Sequence, residues 1–276
     1  MASRPDSAKL PANEYGNGGR WAMKALFATL VVLLSGLCAQ AAEAGPRVLV
    51  FSKTVEYRHA SIPQGIVALA TLGVQRGWRL DATEDAEQFN DATLSKYDVV
   101  VWLSTTGDVL NPEQQAAYER YVKSGKGTVG VHAGGTDTEH HDWPWFRHLI
   151  GAEFKSHPRQ QQATLLVQDA QHPAAAGLPP KWSHWEEWYN FTALPAGASI
   201  VLAVDETSYD AGPDAMAVKF GSHPIAWYQE IEGGRVFYTA LGHTVEDYSD
   251  PLFLGHLAGG IEWATGPARS LAQPGR

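Results

Sequence analysis

The sequence predicts an α/β fold, in which a parallel sheet carries helices on both faces, and three observations support this prediction. In the first half of the chain, short apolar runs that suit buried strands alternate with longer segments of helical periodicity. The connections between them are short, which is typical of the βα units that build parallel sheets. No internal repeat and no long linker interrupts the pattern, so we expect one domain.

The elements of the first half follow from the residues of each segment. The run RVLVF predicts a buried strand, DVVVWL a stronger one, and the β-branched run TVGVH another that ends in a glycine-rich turn. A proline in the first turn predicts a helix that starts at Asn111, and the glycines after Lys123 predict its end. The predicted elements are strands at 47–51, 78–82, 98–103 and 128–132 and helices at 62–76 and 111–123.

Beyond residue 150 the pattern changes to strand-like runs with little helix between them. The segment Ile231-Glu232-Gly233-Gly234 predicts a hairpin turn between the last two strands. A closing helix is expected over 251–264. The predicted strands of this half are 163–167, 199–204, 215–220, 224–230 and 235–241.

The N-terminus has the features of a secretory signal peptide. The uncharged apolar stretch 25–37 follows Lys24, precedes Ala-x-Ala triplets that suit cleavage near Ala44, and is too short to span a bilayer comfortably. Cys38 raises the alternative of lipoprotein processing, but Leu37 stands where a small residue is needed. We therefore expect a signal peptide with an N-terminal extension over 1–44, one domain over 45–268 and a tail over 269–276. The mature protein is expected in the periplasm or outside the cell, without stable membrane insertion.

Composition excludes several classes of function. The chain has 21 Lys plus Arg against 30 Asp plus Glu, a formal net charge of -9, which disfavours nucleic acid and suits a neutral or cationic small ligand. Its one cysteine excludes a disulfide framework, a cysteine-rich zinc site and an iron–sulfur centre. Because Cys38 leaves with the signal peptide, a thiol nucleophile is excluded as well.

Candidate site residues fall in the loops that follow the predicted strands. Ligands of open α/β sheets bind at the carboxyl ends of the strands, since the loops converge there. Arg58 and His59 follow the first strand, Thr105 the third, His132 the fourth and His243 the last. We therefore expect three histidines and an arginine at one rim.

His132 stands at the centre of Gly130-Val131-His132-Ala133-Gly134, which has the glycine spacing of a strand-to-helix elbow. The glycines permit the tight turn that presents the central side chain, and a histidine there suits acid/base work or metal binding. The alternative is that any strand entering a glycine-rich turn has this form. For His243 the alternative is a loop histidine that caps a turn.

Other histidines have weaker patterns. His157, in a loop beside a proline, is a further site candidate. The segment His140-His141-Asp142 resembles a metal patch, but adjacent histidines on a polar loop are more often solvated. His148 and His256 lie in expected helices and are most simply structural.

Residues 182–191 are the densest aromatic segment, with three Trp, a Tyr and a Phe beside Glu186 and Glu187. Aromatic rings stack on the apolar faces of sugars while carboxylates bind the hydroxyls, so the segment suits carbohydrate recognition. The alternative is an aromatic loop that plugs the end of the sheet, with both carboxylates solvated.

Taken together, these segments resemble the ThuA-like (trehalose-utilisation) family, whose fold is similar to that of class I glutamine amidotransferases. The resemblance covers about 47–266 and rests on RHASI at 58–62, GVHAGG at 130–135, EEWYNF at 186–191, PIAW at 224–227 and GRVFYTALGHT at 234–244. It implies a three-layer α/β/α fold with a mostly parallel, flavodoxin-like central sheet. Amidotransferases carry cysteine at the elbow, where this chain has His132, so amidotransferase activity is excluded.

The resemblance implies handling of disaccharides, especially of 3-keto sugars, and in some members a divalent metal such as zinc; no nucleotide cofactor is expected. His132 and His243 would then be acid/base groups or metal ligands, with His157 as a third ligand and Glu187 as the carboxylate partner. The implied sugar-binding residues are Arg58, His59, Thr105, Trp188 and Tyr189. A non-catalytic carbohydrate-binding protein of the cell envelope, stacking sugar on Trp185 or Trp188, remains the alternative, and a module of a larger envelope assembly is a third.

Overall fold

The structure, a computed structural model, describes residues 45–136 and 143–266. The expected signal peptide over 1–44, the tail over 269–276 and the segment His140-His141-Asp142 lie outside the described residues. The described residues belong to one compact unit that begins at Gly45. Among them, no helix is both long enough and apolar enough to cross a bilayer.

The first half alternates strands and helices in the predicted order. The burial of all five residues of the VVVWL strand fits a central strand that is covered on both faces. The helix after Asn111 begins with a capping box, in which the side-chain oxygens of Asn111 and Gln114 each accept a hydrogen bond from the other's backbone N–H. The elements are β1 (Arg47–Phe51), α1 (Ile62–Arg76), β2 (Arg79–Thr83), α2 (Asp91–Leu94), β3 (Val99–Leu103), α3 (Pro112–Lys123) and β4 (Gly127–Val131).

The second half is mainly strand. Its elements are α4 (Pro144–Ile150), β5 (Phe154–Ser156), β6 (Gln161–Val167), β7 (Lys181–Glu186), β8 (Asn190–Phe191), β9 (Ser199–Asp205), α5 (Met216–Phe220), β10 (Pro224–Ile231), β11 (Gly234–Thr239) and α6 (Pro251–Thr265). The predicted hairpin is present, because β10 pairs antiparallel with β11 up to Ile231 and Gly234. Glu232 and Gly233, with φ of 54° and 88°, form its two-residue turn.

The described residues form a nine-stranded sheet in the order β2-β1-β3-β4-β11-β10-β9-β6-β7. The first five strands in this order pair in parallel, and the remaining four pairings are antiparallel. Only β10 and β6 are reversed among these nine described strands, so the other seven point the same way. The sheet is therefore mostly parallel in strand direction.

Helices cover both faces of the sheet. On one face, Thr239 of β11 approaches the last helix, with its Oγ1 3.1 Å from His256 Nε2. On the other face, β11 approaches α3 so closely that a Cβ on Gly234 would lie 2.8 Å from Val122 Cγ1. The predicted three-layer α/β/α architecture is confirmed.

One predicted strand is wrong. Residues 215–220 were expected as a strand, but Met216–Phe220 is a short helix. Its first backbone N–H donates to Glu206 Oε1 at 2.6 Å, and Gly221, at φ 77°, ends it with a bond to Ala217 O. These tertiary and capping contacts outweigh the strand preference of its Val and Phe residues.

The aromatic segment is also partly strand. Lys181–Glu186 is an edge strand whose residues alternate between exposed and buried, so it is not a loop plugging the end of the sheet. Trp182, His184 and Glu186 face inward, whereas Trp185 is exposed. The alternative of two solvated carboxylates is wrong, because Glu186 and Glu187 are both buried.

Candidate functional site

The candidate site lies at the carboxyl ends of four strands that point the same way. His59 follows β1, His132 follows β4, Glu187 follows β7 and His243 follows β11. Because strands of one direction end at the same edge of a sheet, residues far apart in sequence meet there. The position of Glu187 depends on the edge strand β7, so both halves of the sheet contribute to the site.

His132 occupies a sharp turn directly after β4. Its φ is 56°, a left-handed conformation that non-glycine residues seldom adopt. The flanking glycines are required for close backbone approach, since a Cβ on Gly134 would lie 1.8 Å from Trp102 O and one on Gly130 2.4 Å from Gly134 O. The elbow therefore holds a fully buried imidazole at the end of the sheet.

Backbone contacts fix the orientation of the His132 ring. Its Nδ1 lies 2.9 Å from Ala240 O, and a carbonyl oxygen can only accept, so Nδ1 carries the proton. Burial lowers the pKa of His132, which favours the neutral ring. The lone pair of Nε2 is thereby directed into the site.

Several polar atoms gather around this lone pair. His132 Nε2 lies 3.1 Å from His59 Nε2, 3.1 Å from His243 Nδ1 and 2.9 Å from Tyr189 Oη. Glu187 Oε2 lies 3.6 Å from His132 Nε2 and 3.1 Å from His243 Nδ1. One lone pair cannot accept hydrogen bonds from every neighbour at once, so the arrangement is unusual for a group of structural histidines.

The donor set fits a divalent transition metal. His59, His132, Glu187 and His243 each offer one atom, and these atoms all lie within 4.8 Å of one another. Four ligands placed tetrahedrally about 2.1 Å from a zinc ion lie about 3.4 Å apart, close to the observed separations of 3.1 and 3.6 Å. Imidazole nitrogens with one carboxylate also suit iron, manganese and related ions.

The protonation states agree with this fit. Burial and the neighbouring imidazoles of His132 and His243 lower the pKa of His59 to about 2, so its ring is neutral near pH 7. Burial raises the pKa of Glu187, but the adjacent imidazoles of His132 and His243 outweigh this effect and hold that pKa well below its usual value. Neutral imidazoles and an ionised carboxylate are the forms that bind metals.

A cavity of about 330 Å³ is lined by three of these four residues, His59, Glu187 and His243. Tyr57, Thr106, His157 and Tyr189 also line it. His157 Nδ1 is 3.0 Å from Pro158 O and 3.3 Å from Glu187 Oε1, so both of these neighbours are acceptors. Nδ1 therefore carries the proton, and Nε2 is the atom of His157 that can take up another.

The structure gathers six of the predicted site residues at or directly beside this cavity: His59, His132, His157, Glu187, Tyr189 and His243. His59 was expected to bind sugar, yet its Nε2 is among the four metal-capable donors. His157 was expected as a metal ligand, yet it contacts the opposite oxygen of Glu187 and is not in that group. The geometry therefore groups His59 with these donors and leaves His157 outside them.

Three predicted sugar-binding residues lie elsewhere. Trp188 is fully buried, and its Nε1 donates to Gln161 O at 2.9 Å, so no face of the ring is open to a ligand. Arg58 pairs with Glu84 at 2.6 Å on the exposed surface. Thr105 is buried, and its neighbour Thr106 lines the cavity instead.

Glu186 is a residue whose contribution the sequence did not reveal. Its Oε1 accepts the backbone N–H of Glu187 at 2.8 Å, and its Oε2 accepts those of Gly242 at 2.8 Å and His243 at 3.4 Å. The carboxylate therefore holds the backbone of two site residues in register. Burial and the nearby charge of Asp247 raise its pKa well above the usual value. The sequence carries no signal for this role, because the polar His184 and Glu186 are buried on β7 while the apolar Trp185 is exposed.

Comparison with known proteins identifies the family. The ThuA family, described as trehalose utilisation, matches residues 47–264. The chain belongs to the ThuA family. This assignment agrees with the resemblance inferred from the sequence and gives the protein a carbohydrate-related role. The comparison with curated proteins gives no match.

Several solved structures are similar to this chain. A ThuA-like protein from Bacteroides uniformis is 25% identical, with a TM-score of 0.69 over 82% of this chain and 94% of its own. Another ThuA-like protein, from Parabacteroides merdae, is 21% identical, with a TM-score of 0.65 over 83% of this chain and 93% of its own. A glutamine amidotransferase from Thermotoga maritima is 13% identical, with a TM-score of 0.47 over 80% of this chain and 98% of its own.

Proposed function

We propose that this ThuA-family protein is an exported enzyme that processes 3-keto glycosides or disaccharides by metal-assisted acid/base chemistry. The observation that carries the proposal is the convergence of three imidazole nitrogens and a carboxylate oxygen beneath a cavity. The family description supplies the carbohydrate class. The elbow presents His132 and the one cysteine of the sequence is Cys38, so the proposal excludes amidotransferase chemistry.

His59, His132, Glu187 and His243 would hold the metal ion. When bound, such an ion polarises a carbonyl oxygen of the substrate as a Lewis acid. The chain's own contribution is to keep His59 neutral and Glu187 ionised, and to fix the His132 ring through Ala240 O.

His157 is the proposed general base. A ketone at C3 of a sugar acidifies the neighbouring C2–H bond, and the Nε2 atom of a neutral His157 can accept that proton. Glu187 Oε1, 3.3 Å from His157 Nδ1, stabilises the imidazolium that results. Enolisation, isomerisation and elimination of the glycosidic group share this first step.

Elimination completes the proton balance within the same site. As the C1–O bond breaks, the electron pair from C2 forms a C1–C2 double bond, and the leaving oxygen takes the proton from His157. The products are an unsaturated keto sugar and a free alcohol or second sugar. No oxidant is consumed, because the substrate arrives already oxidised at C3.

Metal analysis of the purified protein tests the proposal. We expect a stoichiometric divalent metal in the wild type, its loss in His132→Ala and His243→Ala, and loss of 3-keto-glycoside turnover in both. His148→Ala is a matched control, since the His148 side chain is 64% exposed on α4 and lies 3.9 Å from Glu232. A wild type that takes up no divalent metal, or a His132→Ala variant that turns over keto sugars normally, would overturn the proposal.

Export is tested separately by sequencing the N-terminus of the protein from its producing cell. We expect it to begin near Gly45 and to fractionate outside the cytoplasm. A full-length chain retained in the cytoplasm would contradict export without affecting the proposed chemistry.

The second candidate is a non-catalytic carbohydrate-binding protein. Trp185 favours it, because this ring is 54% exposed and lines a cavity next to His243. Such a protein would bind sugar with no product and no metal. The metal and turnover measurements above therefore separate the two candidates.

A further inference from the structure

Trp185 is unusual among the tryptophans of the described residues. Most of them are buried in the core, whereas Trp185 is 54% exposed on the edge strand β7. The alternation of the strand places it on the outward side, between the buried His184 and Glu186. An exposed indole leaves a large apolar face in water, which is typical of a surface that binds a ligand.

A cavity of about 560 Å³ lies against this ring, within the size range of small-molecule sites. Val245, 43% exposed, adds a second apolar surface. The acidic groups are Glu246, Asp250 and Asp247, the last of which lies 3.0 Å from His184 Nε2. An apolar platform beside carboxylate acceptors complements a pyranose ring, which offers C–H faces and hydroxyl donors.

The charge of this cavity narrows the ligand class. Its lining contains three carboxylates, and no lysine or arginine is among the lining residues. Like charges repel more strongly where water is partly excluded, so a phosphorylated or acidic sugar is disfavoured there. The cavity therefore suits a neutral sugar ring.

The larger cavity adjoins the cavity over the histidines. Gln160 and His243 line both, and their side chains meet at 2.7 Å between Gln160 Nε2 and His243 Nε2. A ligand that extends from one cavity into the other passes this pair. His243 also contributes Nδ1 to the metal-capable group, so the second cavity begins directly beside the proposed reaction centre.

We propose that the Trp185 cavity is a second sugar subsite, which binds one ring of a neutral two-ring sugar while the other ring lies over the histidines. This inference rests on the proposed function and deepens it. It makes the substrate a disaccharide rather than a monosaccharide. The stacked ring lies on the far side of Gln160 and His243 from His157, where the leaving group of the proposed elimination would be held.

Sugar binding to the purified full-length mature protein tests the subsite. The probes are trehalose and glucose, with affinities measured by calorimetry for the wild type, Trp185→Ala and Trp185→Phe. We expect the wild type to bind trehalose more tightly than glucose, and Trp185→Ala to lose about tenfold in trehalose affinity. Trp185→Phe should keep most of that affinity, and glucose affinity should change little in both variants.

The control is Val218→Ala, which removes an exposed apolar side chain, 89% accessible, that lines neither cavity. Unchanged binding in this variant excludes a general surface effect. Trehalose 6-phosphate, as an anionic two-ring probe, should bind more weakly than trehalose, and tighter binding would contradict the neutral-sugar assignment.

The outcomes distinguish the subsite from the proposed function. If Trp185→Ala binds trehalose as the wild type does, the subsite is overturned while the metal and turnover results stand. If trehalose binding depends on Trp185 but the wild type carries no metal and has no turnover, the subsite stands and the proposed enzyme fails. A wild type that binds neither sugar overturns the subsite, whereas the proposed enzyme stands or falls with its metal content and its turnover of 3-keto glycosides.

Discussion

His132 and His256 are both fully buried, yet their surroundings differ in kind. His256 has a partner for each ring nitrogen, with Nδ1 2.8 Å from Ala174 O and Nε2 3.1 Å from Thr239 Oγ1. His132 has a backbone partner for Nδ1 only, and its Nε2 faces two further imidazoles. Thr239 touches both residues, since its backbone oxygen accepts the His132 N–H at 2.8 Å.

The difference shows what separates a structural histidine from a functional one. Residue type and burial are the same. What differs is the set of hydrogen-bond partners of Nε2. At His256 this atom has one hydroxyl partner, whereas at His132 it faces two imidazoles and the hydroxyl of Tyr189.

The largest effect should come from His59, the histidine that the sequence assigned to sugar binding. We expect His59→Ala to lose metal and to lower kcat by roughly a hundredfold to a thousandfold. Metal content and steady-state kinetics check this, with His256→Asn as the buried-histidine control that should keep both. Retained metal with only a raised KM would return His59 to the role of a sugar contact.

The stability of the protein should depend on His256 at acidic pH. Burial lowers the pKa of His256 to about 4, below its ordinary value of 6.5, so the unfolded chain binds the proton more tightly. Stability from this group is complete above pH 6.5, falls as the pH drops from 6.5 towards 4, and amounts to about 3 kcal/mol.

Denaturant unfolding at several pH values checks this contribution. His256→Asn, which can still donate to Ala174 O, should flatten the profile between pH 6.5 and 4. An unchanged profile in the variant would assign the acid sensitivity to other groups. Metal content at pH 7 should be the same in both proteins.

A smaller effect is expected from Glu186, which touches neither the cavity nor the proposed ion. Glu186→Gln keeps the size of the side chain but weakens its bonds to the backbone of Glu187, Gly242 and His243. We expect metal affinity to fall roughly 10- to 100-fold, as when outer-shell partners are altered. Competition with a chelator measures it, and Glu84→Gln on the exposed surface is the control. Lower thermal stability with unchanged metal affinity would make Glu186 purely structural.

The smallest effect should come from Arg58. Its pair with Glu84 is close to half exposed on both sides, and exposed pairs of this kind contribute about 1 kcal/mol or less. Arg58→Ala should leave KM, kcat and metal content unchanged. A raised KM for the keto glycoside would show that Arg58 leaves Glu84 to meet the substrate.

Local sequence signals were sufficient for much of the fold. The apolar runs, the proline before Glu113 and the Gly-rich elbow each act over a few residues, so the alternation of strands and helices and the position of His132 could be predicted. The short helix Met216–Phe220 could not, because a contact from Glu206, ten residues earlier, starts it.

The chemistry of the site depends on contacts that local patterns do not contain. Glu186 meets Gly242 across 56 residues, and His132 meets His243 across 111. Whether His59 or His157 joins the metal-capable group depends on distances between strands. The spacing of residues along the sequence does not determine these distances. Trp185 lies on the edge strand β7 and is exposed, whereas Trp188, three residues later, follows that strand and is buried.

The last of the described strands occupies a central place in the sheet. β11 lies between β4 and β10 and joins the parallel half to the antiparallel half. A chain that ends before Gly234 therefore has two unconnected sheets with open edges, and it lacks His243 as well. The long sequence separations of these pairings favour slow folding. During synthesis the two halves of the sheet therefore remain separate until β11 is available. The proposed metal and sugar sites form only when β11 has joined the sheet and His243 is in place.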